Sequence, residues 1–130
     1  MTSEAADYIK TAQHHLANAR VILEAGIADQ AARVAYQAGF NAAEALIVAR
    51  KGRPTKTHRG LRAAFAELAR GEASVDPVFT TFLGRAYTFK ERTDYGVGDE
   101  PSVTDAEAEE MIDMAARLID CIARLLAADI

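Results

Sequence analysis

Residues 29–51 read DQAARVAYQAGFNAAEALIVARK and form the clearest pattern in this 130-residue chain. One helical stripe of the segment consists only of alanine, and a neighbouring stripe holds Tyr36, Phe40, Ala43 and Ile47. Together they leave only a narrow polar face, so the apolar arc is wider than a surface helix requires. The pattern therefore predicts a helix that is buried at the centre of a bundle or shared with a second subunit.

Outside this segment, apolar residues continue to recur at spacings of three and four. The spacing predicts four further helices, at about 3–25, 58–70, 77–93 and 105–128. Helix-start signals precede three of them: Thr57, Asp76 before Pro77, and the capping box Thr104-x-x-Glu107. We therefore predict an all-α fold, a single domain over residues 1–130 with about five helices in an up-and-down antiparallel bundle.

Several classes of protein are disfavoured by the composition. No segment approaches the run of about 20 apolar residues that a membrane span requires, and the N-terminus lacks the apolar core of a signal peptide. The single cysteine, Cys121, cannot form an intrachain disulfide, which favours a cytoplasmic location. Adjacent His14 and His15 point about 100° apart on a helix, and no Glu-x-x-His pair occurs. We expect no metal and no cofactor.

The net charge of −4 hides a strong asymmetry along the chain. Residues 50–70 carry seven Lys or Arg against one acid, whereas residues 91–130 carry eleven acids against three Arg. Either two solvated faces of the protein simply carry net charges of opposite sign, or an anion-binding patch lies on an otherwise acidic protein surface. The charge pattern alone leaves both interpretations open.

Two short clusters at predicted helix ends contain most of the side chains able to bind an anion. The first, KTHRG at 56–60, lies across a helix N-terminus, where unpaired amides and the helix dipole attract anions. The second is RTDY at 92–95, whose arginine lies seven residues after Arg85 and so on nearly the same helix face. Arginine suits phosphate because its planar donors match pairs of phosphate oxygens. We predict a phosphate-binding set of Lys56, His58, Arg59, Arg85 and Arg92.

Each cluster also has a structural interpretation. Arg92 would complement the dipole at the end of its helix and pair with Asp94 or the acidic last helix. The basic loop before the third helix would then serve only to keep the bundle soluble. Spacing does not separate these interpretations from phosphate binding.

The ordered set AYQAGFNAAEAL (35–46), KTHRGL (56–61) and RTDY (92–95) resembles the HEPN family of small helical-bundle domains, over nearly the whole chain. The resemblance implies a homodimer with the functional cleft at its interface. It also implies a gene neighbour encoding a minimal nucleotidyltransferase, as in toxin–antitoxin modules. Ribonucleases of the family carry Arg, four to six residues, then His. Arg92 matches that Arg, but no His follows at this spacing.

This departure leaves catalysis open, with Arg92, Asp94, Tyr95 and His58 as the candidate catalytic residues. A carboxylate or a phenol is poorly poised for proton transfer near neutral pH unless its pKa is shifted. His58 could still approach Arg92 in the fold. We therefore predict a HEPN-like component of a nucleotidyltransferase or toxin–antitoxin module that binds nucleotide or RNA phosphate. The alternatives are a metal-independent ribonuclease with a rearranged site and a purely structural dimerisation module.

Overall fold

A computed structural model describes residues 1–95 and 103–129, without the side chains of Asp94 and Tyr95. These residues form five helices and no strand: α1 (Ser3–Glu24), α2 (Ala28–Lys51), α3 (His58–Arg70), α4 (Val78–Tyr95) and α5 (Asp105–Ala127). The all-α prediction is confirmed. The fourth helix extends two residues beyond its predicted end, so the RTDY motif occupies the last turn of α4 rather than a turn and loop. In the described part of the chain, no helix has the length and apolar character needed to cross a membrane.

Helix α2 forms the centre of the bundle and packs against all four other helices. Its alanine stripe is fully buried from Ala31 to Ala45, as the sequence predicted for the central helix, and only its last member, Ala49, is partly exposed. Small side chains let neighbouring helices approach closely, and Gly39 shows how closely. A Cβ atom at this position would lie 2.9 Å from Cε2 of Phe82 on α4. The α2–α4 contact therefore depends on the absence of a side chain at Gly39.

The contacts at the helix ends define the helix directions. Val103, before α5, donates its N–H to Asp29 at the start of α2, 3.0 Å away. Arg50 at the end of α2 donates to Asp129 after α5, 2.6 Å away. Helices α2 and α5 therefore run in the same direction. Helix α4 runs opposite to α5, because Phe79 near the start of α4 lies beside Arg117 late in α5, whereas Arg85 further along α4 pairs with Glu110 early in α5.

The α2–α3 connection departs from an up-and-down alternation of the helices. The start of α3 contacts the middle of α2, because the Tyr36 hydroxyl is 2.7 Å from Nδ1 of His58. The later part of α3 contacts the end of α2, because Lys51 Nζ is 3.7 Å from Glu67 Oε2. Helices α2 and α3 are therefore parallel. Sequence periodicity carries no information about the relative direction of two helices.

Residues 52–57 make this geometry possible by running back along α2, and we call them the return segment. Glu44, one of the few buried polar side chains and 3% exposed, anchors the segment. Its carboxylate accepts hydrogen bonds from the Thr55 backbone N–H, at 3.2 and 3.3 Å, and from the Thr55 hydroxyl, at 3.1 Å to each oxygen. Glu44 lies seven residues before Lys51, so the segment has returned by about 10 Å at Thr55.

Burial of the carboxyl group raises the pKa of Glu44 above its ordinary value of 4.5, although the hydrogen bonds from Thr55 oppose the rise. A pKa raised in the folded state means that ionisation of Glu44 costs stability. The cost is absent below the unfolded-state pKa and is complete above the folded-state pKa.

We predict that Glu44→Gln gains stability relative to the wild type as the pH rises from about 4.5 to about 7, because glutamine has no charge to bury. Urea unfolding of both proteins across this range would measure the difference in free energy of unfolding. The control is Glu109→Gln, which removes the same carboxylate at an exposed position on α5. A Glu44→Gln difference that stays constant from about pH 4 to about pH 8 would contradict the prediction.

Candidate functional site

The return segment places His58 among aromatic rings from two other helices. His58 is the first residue of α3, and the Thr57 hydroxyl caps this helix by accepting from the Gly60 N–H at 2.8 Å. The imidazole centroid lies 5.6 Å from that of Tyr36, 5.0 Å from that of Phe40 and 5.5 Å from that of Tyr87 on α4. A half-buried histidine therefore lies where α2, α3 and α4 meet.

Two cationic side chains lie over the ring of Tyr87. The Arg62 guanidinium carbon is 4.5 Å from the ring centroid, and the Lys90 ammonium nitrogen is 6.0 Å from it. Arg62 follows His58 by one helical turn, so both side chains leave the same face of α3. Its Nε is buried and makes no hydrogen bond to any described residue. We call these residues the His58 cluster: Tyr36, Phe40, His58, Arg62, Tyr87 and Lys90.

Both tyrosines of the cluster keep their protons at neutral pH. Burial raises the pKa of Tyr36 far above its ordinary value of 10.0, and the nearby Arg62 charge only partly opposes this. The pKa of Tyr87 is also raised, first because its hydroxyl forms a hydrogen bond with Glu91. The cluster therefore presents two neutral phenols, an imidazole and two cations.

Arg85 and Arg92 lie on a different face of α4. Arg85 forms an ion pair with Glu110 of α5, with 2.8 Å between Nη1 and Oε1. The guanidinium carbons of Arg85 and Arg92 are 5.9 and 4.9 Å from the ring centroid of Phe89. Tyr87 follows Arg85 by two residues, or about 200° around the helix. His58 thus contacts the face of α4 opposite to Arg85. The predicted phosphate-binding residues are therefore divided between two places, one at His58 and one at Arg85 and Arg92.

For the other predicted site residues, the structure shows fewer contacts. Lys56 and Arg59 are exposed on either side of His58 in the chain, next to the cluster. Asp94 and Tyr95 belong to the last turn of α4, but their side chains lie outside the described residues. Their predicted role in orienting Arg92 stays a prediction.

Five residues of the cluster were not predicted from the sequence as site residues. Tyr36 and Phe40 fit a buried stripe so well that their pattern indicated only core packing. Arg62 had a usable signal, because it lies four residues after His58. No sequence signal linked Tyr87 and Lys90 to His58, because α4 lies close to His58 only as a result of the direction in which α3 runs.

Among the side chains that the structure describes, no group of three His, Cys, Asp or Glu could hold a metal ion. The His58 cluster instead combines nitrogen donors with aromatic surface. Such a combination can bind phosphate through the donors and a nucleobase through the rings.

A sequence model of the HEPN domain matches residues 5–125 of this chain. The chain belongs to the HEPN family. One relative, from Methanocaldococcus jannaschii, is 28% identical over 118 residues, which cover 91% of this chain and 85% of the relative, and it is named a "putative toxin". A UPF0332 protein of Archaeoglobus fulgidus is 33% identical over 94 residues, which cover 72% of this chain and 74% of the relative. The predicted resemblance is confirmed.

In this HEPN domain, we predict that Arg62 and Tyr87 are energetically coupled while Arg85 and Tyr87 are not. A double-mutant cycle with Arg62→Ala and Tyr87→Leu should give a coupling of about 0.5–1 kcal/mol in the free energy of unfolding, because the guanidinium lies over the ring. The matched cycle with Arg85→Ala should give a coupling close to zero. Equal coupling in the two cycles would contradict the division of the arginines between two faces of α4.

Proposed function

We propose that this HEPN protein binds the phosphate of a nucleotide or of RNA at the His58 cluster. One observation carries the proposal: three nitrogen-bearing side chains, from His58, Arg62 and Lys90, converge on the ring of Tyr87. Arg62 and Lys90 are strong phosphate partners because the hydrogen bonds of a cation to phosphate are charge-assisted. Lys56 and Arg59 flank the cluster and extend the set of positive charges toward solvent.

The local charge balance supports this site. The return segment and α3 belong to the part of the chain with seven Lys or Arg against one acid. Two of these cations, Arg50 and Lys51, are engaged by acidic side chains near the end of α2. Lys56, Arg59 and Arg62 lie toward the other end, near His58. The field around the cluster therefore favours an anionic ligand.

Arg85 and Arg92 have a separate place in the proposal. They lie on another face of α4, so one mononucleotide phosphate would not reach both groups. We propose that both arginines contact a longer RNA, in which case Arg85 would exchange its ion pair with Glu110 for a phosphate. A mononucleotide and an oligonucleotide should consequently differ in their dependence on Arg92.

We further propose that the protein acts in the cytoplasm as a homodimer, within a toxin–antitoxin module that includes a nucleotidyltransferase. Membership of the HEPN family and the toxin name given to one relative support this role. Light scattering should give twice the 14.0 kDa mass of the chain. A monomer at micromolar concentration would contradict the dimer.

Fluorescence anisotropy with a labelled RNA oligonucleotide, measured at several salt concentrations, tests the binding proposal. We expect affinity to fall as salt rises, with a logarithmic slope of about −0.7 for each phosphate contacted. Arg62→Ala should weaken binding at least about tenfold, because a hydrogen bond to a charged group contributes about 1.5–3 kcal/mol.

The matched control is Arg124→Ala, because Arg124 is an exposed arginine of α5 whose nearest acid is Asp120 on the same helix. It removes the same charge without touching the His58 cluster, so it should leave affinity nearly unchanged. Equal weakening by both variants would indicate a non-specific charge effect. Binding that is absent, or that does not depend on salt, would defeat the proposal.

A further inference from the structure

We propose that the buried hydroxyl of Tyr36 holds the neutral His58 ring in the tautomer that carries its proton on Nε2, so that His58 meets phosphate as a hydrogen-bond donor. The proposal rests on the proposed function only for the identity of the acceptor. The tautomer itself follows from the contacts within the His58 cluster.

The first step is the position of the Tyr36 side chain. Tyr36 is 1% exposed, and its hydroxyl oxygen is 2.7 Å from Nδ1 of His58. The rings of Phe40 and Tyr87 pack around it, with centroids 6.1 and 6.0 Å from its own. A ring held in this way has little freedom to redirect its hydroxyl toward solvent.

The second step is to decide which atom donates the hydrogen bond, the hydroxyl oxygen of Tyr36 or Nδ1 of His58. If Tyr36 donates, Nδ1 is the acceptor and the proton of the neutral imidazole must be on Nε2. If Nδ1–H donates instead, the Tyr36 hydroxyl proton needs another acceptor. Among the described residues, His58 is the one hydrogen-bond partner of this hydroxyl. A buried donor left without an acceptor is costly, so the first arrangement is favoured.

The third step is that the Tyr36 hydroxyl keeps its proton and so remains a hydrogen-bond donor to Nδ1 of His58. Burial raises the pKa of this phenol well above its ordinary range. The hydroxyl therefore has a proton to donate at every pH at which the protein would function. Tyr36 is accordingly a positioning residue, since it would act on the ligand only through His58.

The consequence concerns what His58 can do. A neutral imidazole with Nε2–H can donate to a phosphate oxygen above the ordinary histidine pKa of about 6.5, without carrying a charge. The same nitrogen cannot accept a proton in that state, so it cannot serve as the general base of a ribonuclease. Positive charge comes from Arg62 and Lys90 instead. The geometry thus favours phosphate binding over RNA cleavage through Nε2 of His58.

The test begins with NMR of the protein without ligand. His14→Gln and His15→Gln together leave His58 as the remaining histidine, because the chain has three. Two-bond ¹H–¹⁵N correlation spectra at about pH 8 distinguish the two tautomers of a neutral ring. We expect a protonated Nε2 and an unprotonated Nδ1. A ring protonated mainly at Nδ1 would overturn the proposal without any further variant.

Tyr36→Phe provides the comparison, since it removes the hydroxyl but keeps the ring. The expected result is a mixture of tautomers, seen as ¹⁵N shifts that move toward each other. Phe40→Leu is the control for altered packing and should leave the tautomer unchanged. If Tyr36→Phe leaves a single Nε2–H tautomer, something other than Tyr36 fixes it and the proposal fails.

A pH series of RNA affinity tests the functional consequence. Among the described residues, the titratable and charged groups around the ring are Tyr36, Arg62, Tyr87 and Lys90, together with Glu91, which forms a hydrogen bond with Tyr87. From about pH 7 to about pH 8.5, donation by neutral His58 predicts less than a twofold loss of affinity. A tenfold loss that follows the titration of His58 would show that it binds as a cation, against the proposal. Absence of RNA binding would defeat the proposed function but leave the NMR result for Tyr36 intact.

Discussion

The candidate site depends on the hydrogen bonds between the buried Glu44 carboxylate and Thr55. They hold the return segment against α2, and the segment determines where α3 begins. Without this anchor, a six-residue connection would most simply let α3 fold back antiparallel from the end of α2. His58 would then lie near Lys51 rather than beside Tyr36. The cost of burying a carboxylate is thus part of the geometry that creates the His58 cluster.

Helix α2 contributes to both the core and the cluster. Its small residues allow close approach of its neighbours, and Gly39 permits contact with the Phe82 ring. The same approach brings the aromatic face of α4 within reach of Tyr36. Tyr36 and Phe40 therefore pack like ordinary core residues while their edges surround His58. Their burial keeps the cluster rigid, which reduces the entropic cost of binding a ligand.

The basic part of the chain has two physical roles. Arg50 joins α2 to Glu72 and Asp129, so it stabilises the end of the bundle where three segments meet. Arg62 lies over an aromatic ring and beside a histidine. The same residue type is thus structural in one place and a candidate ligand contact in the other. The difference lies in whether acidic side chains or aromatic rings surround the guanidinium.

The sequence by itself determined the five helices and, to within two residues, their ends, because period, caps and breakers act over a few residues. Thr57 and the Thr104–Glu107 capping box lie where the pattern placed them. It also determined the family, because the ordered motifs can be recognised in the sequence without knowledge of the fold. Only the tertiary structure decided which charged residues meet, separating Arg85 from His58 and bringing Arg62, Tyr87 and Lys90 together. That outcome depends on the direction of α3, which a hydrogen bond between residues eleven positions apart controls and which local periodicity cannot encode.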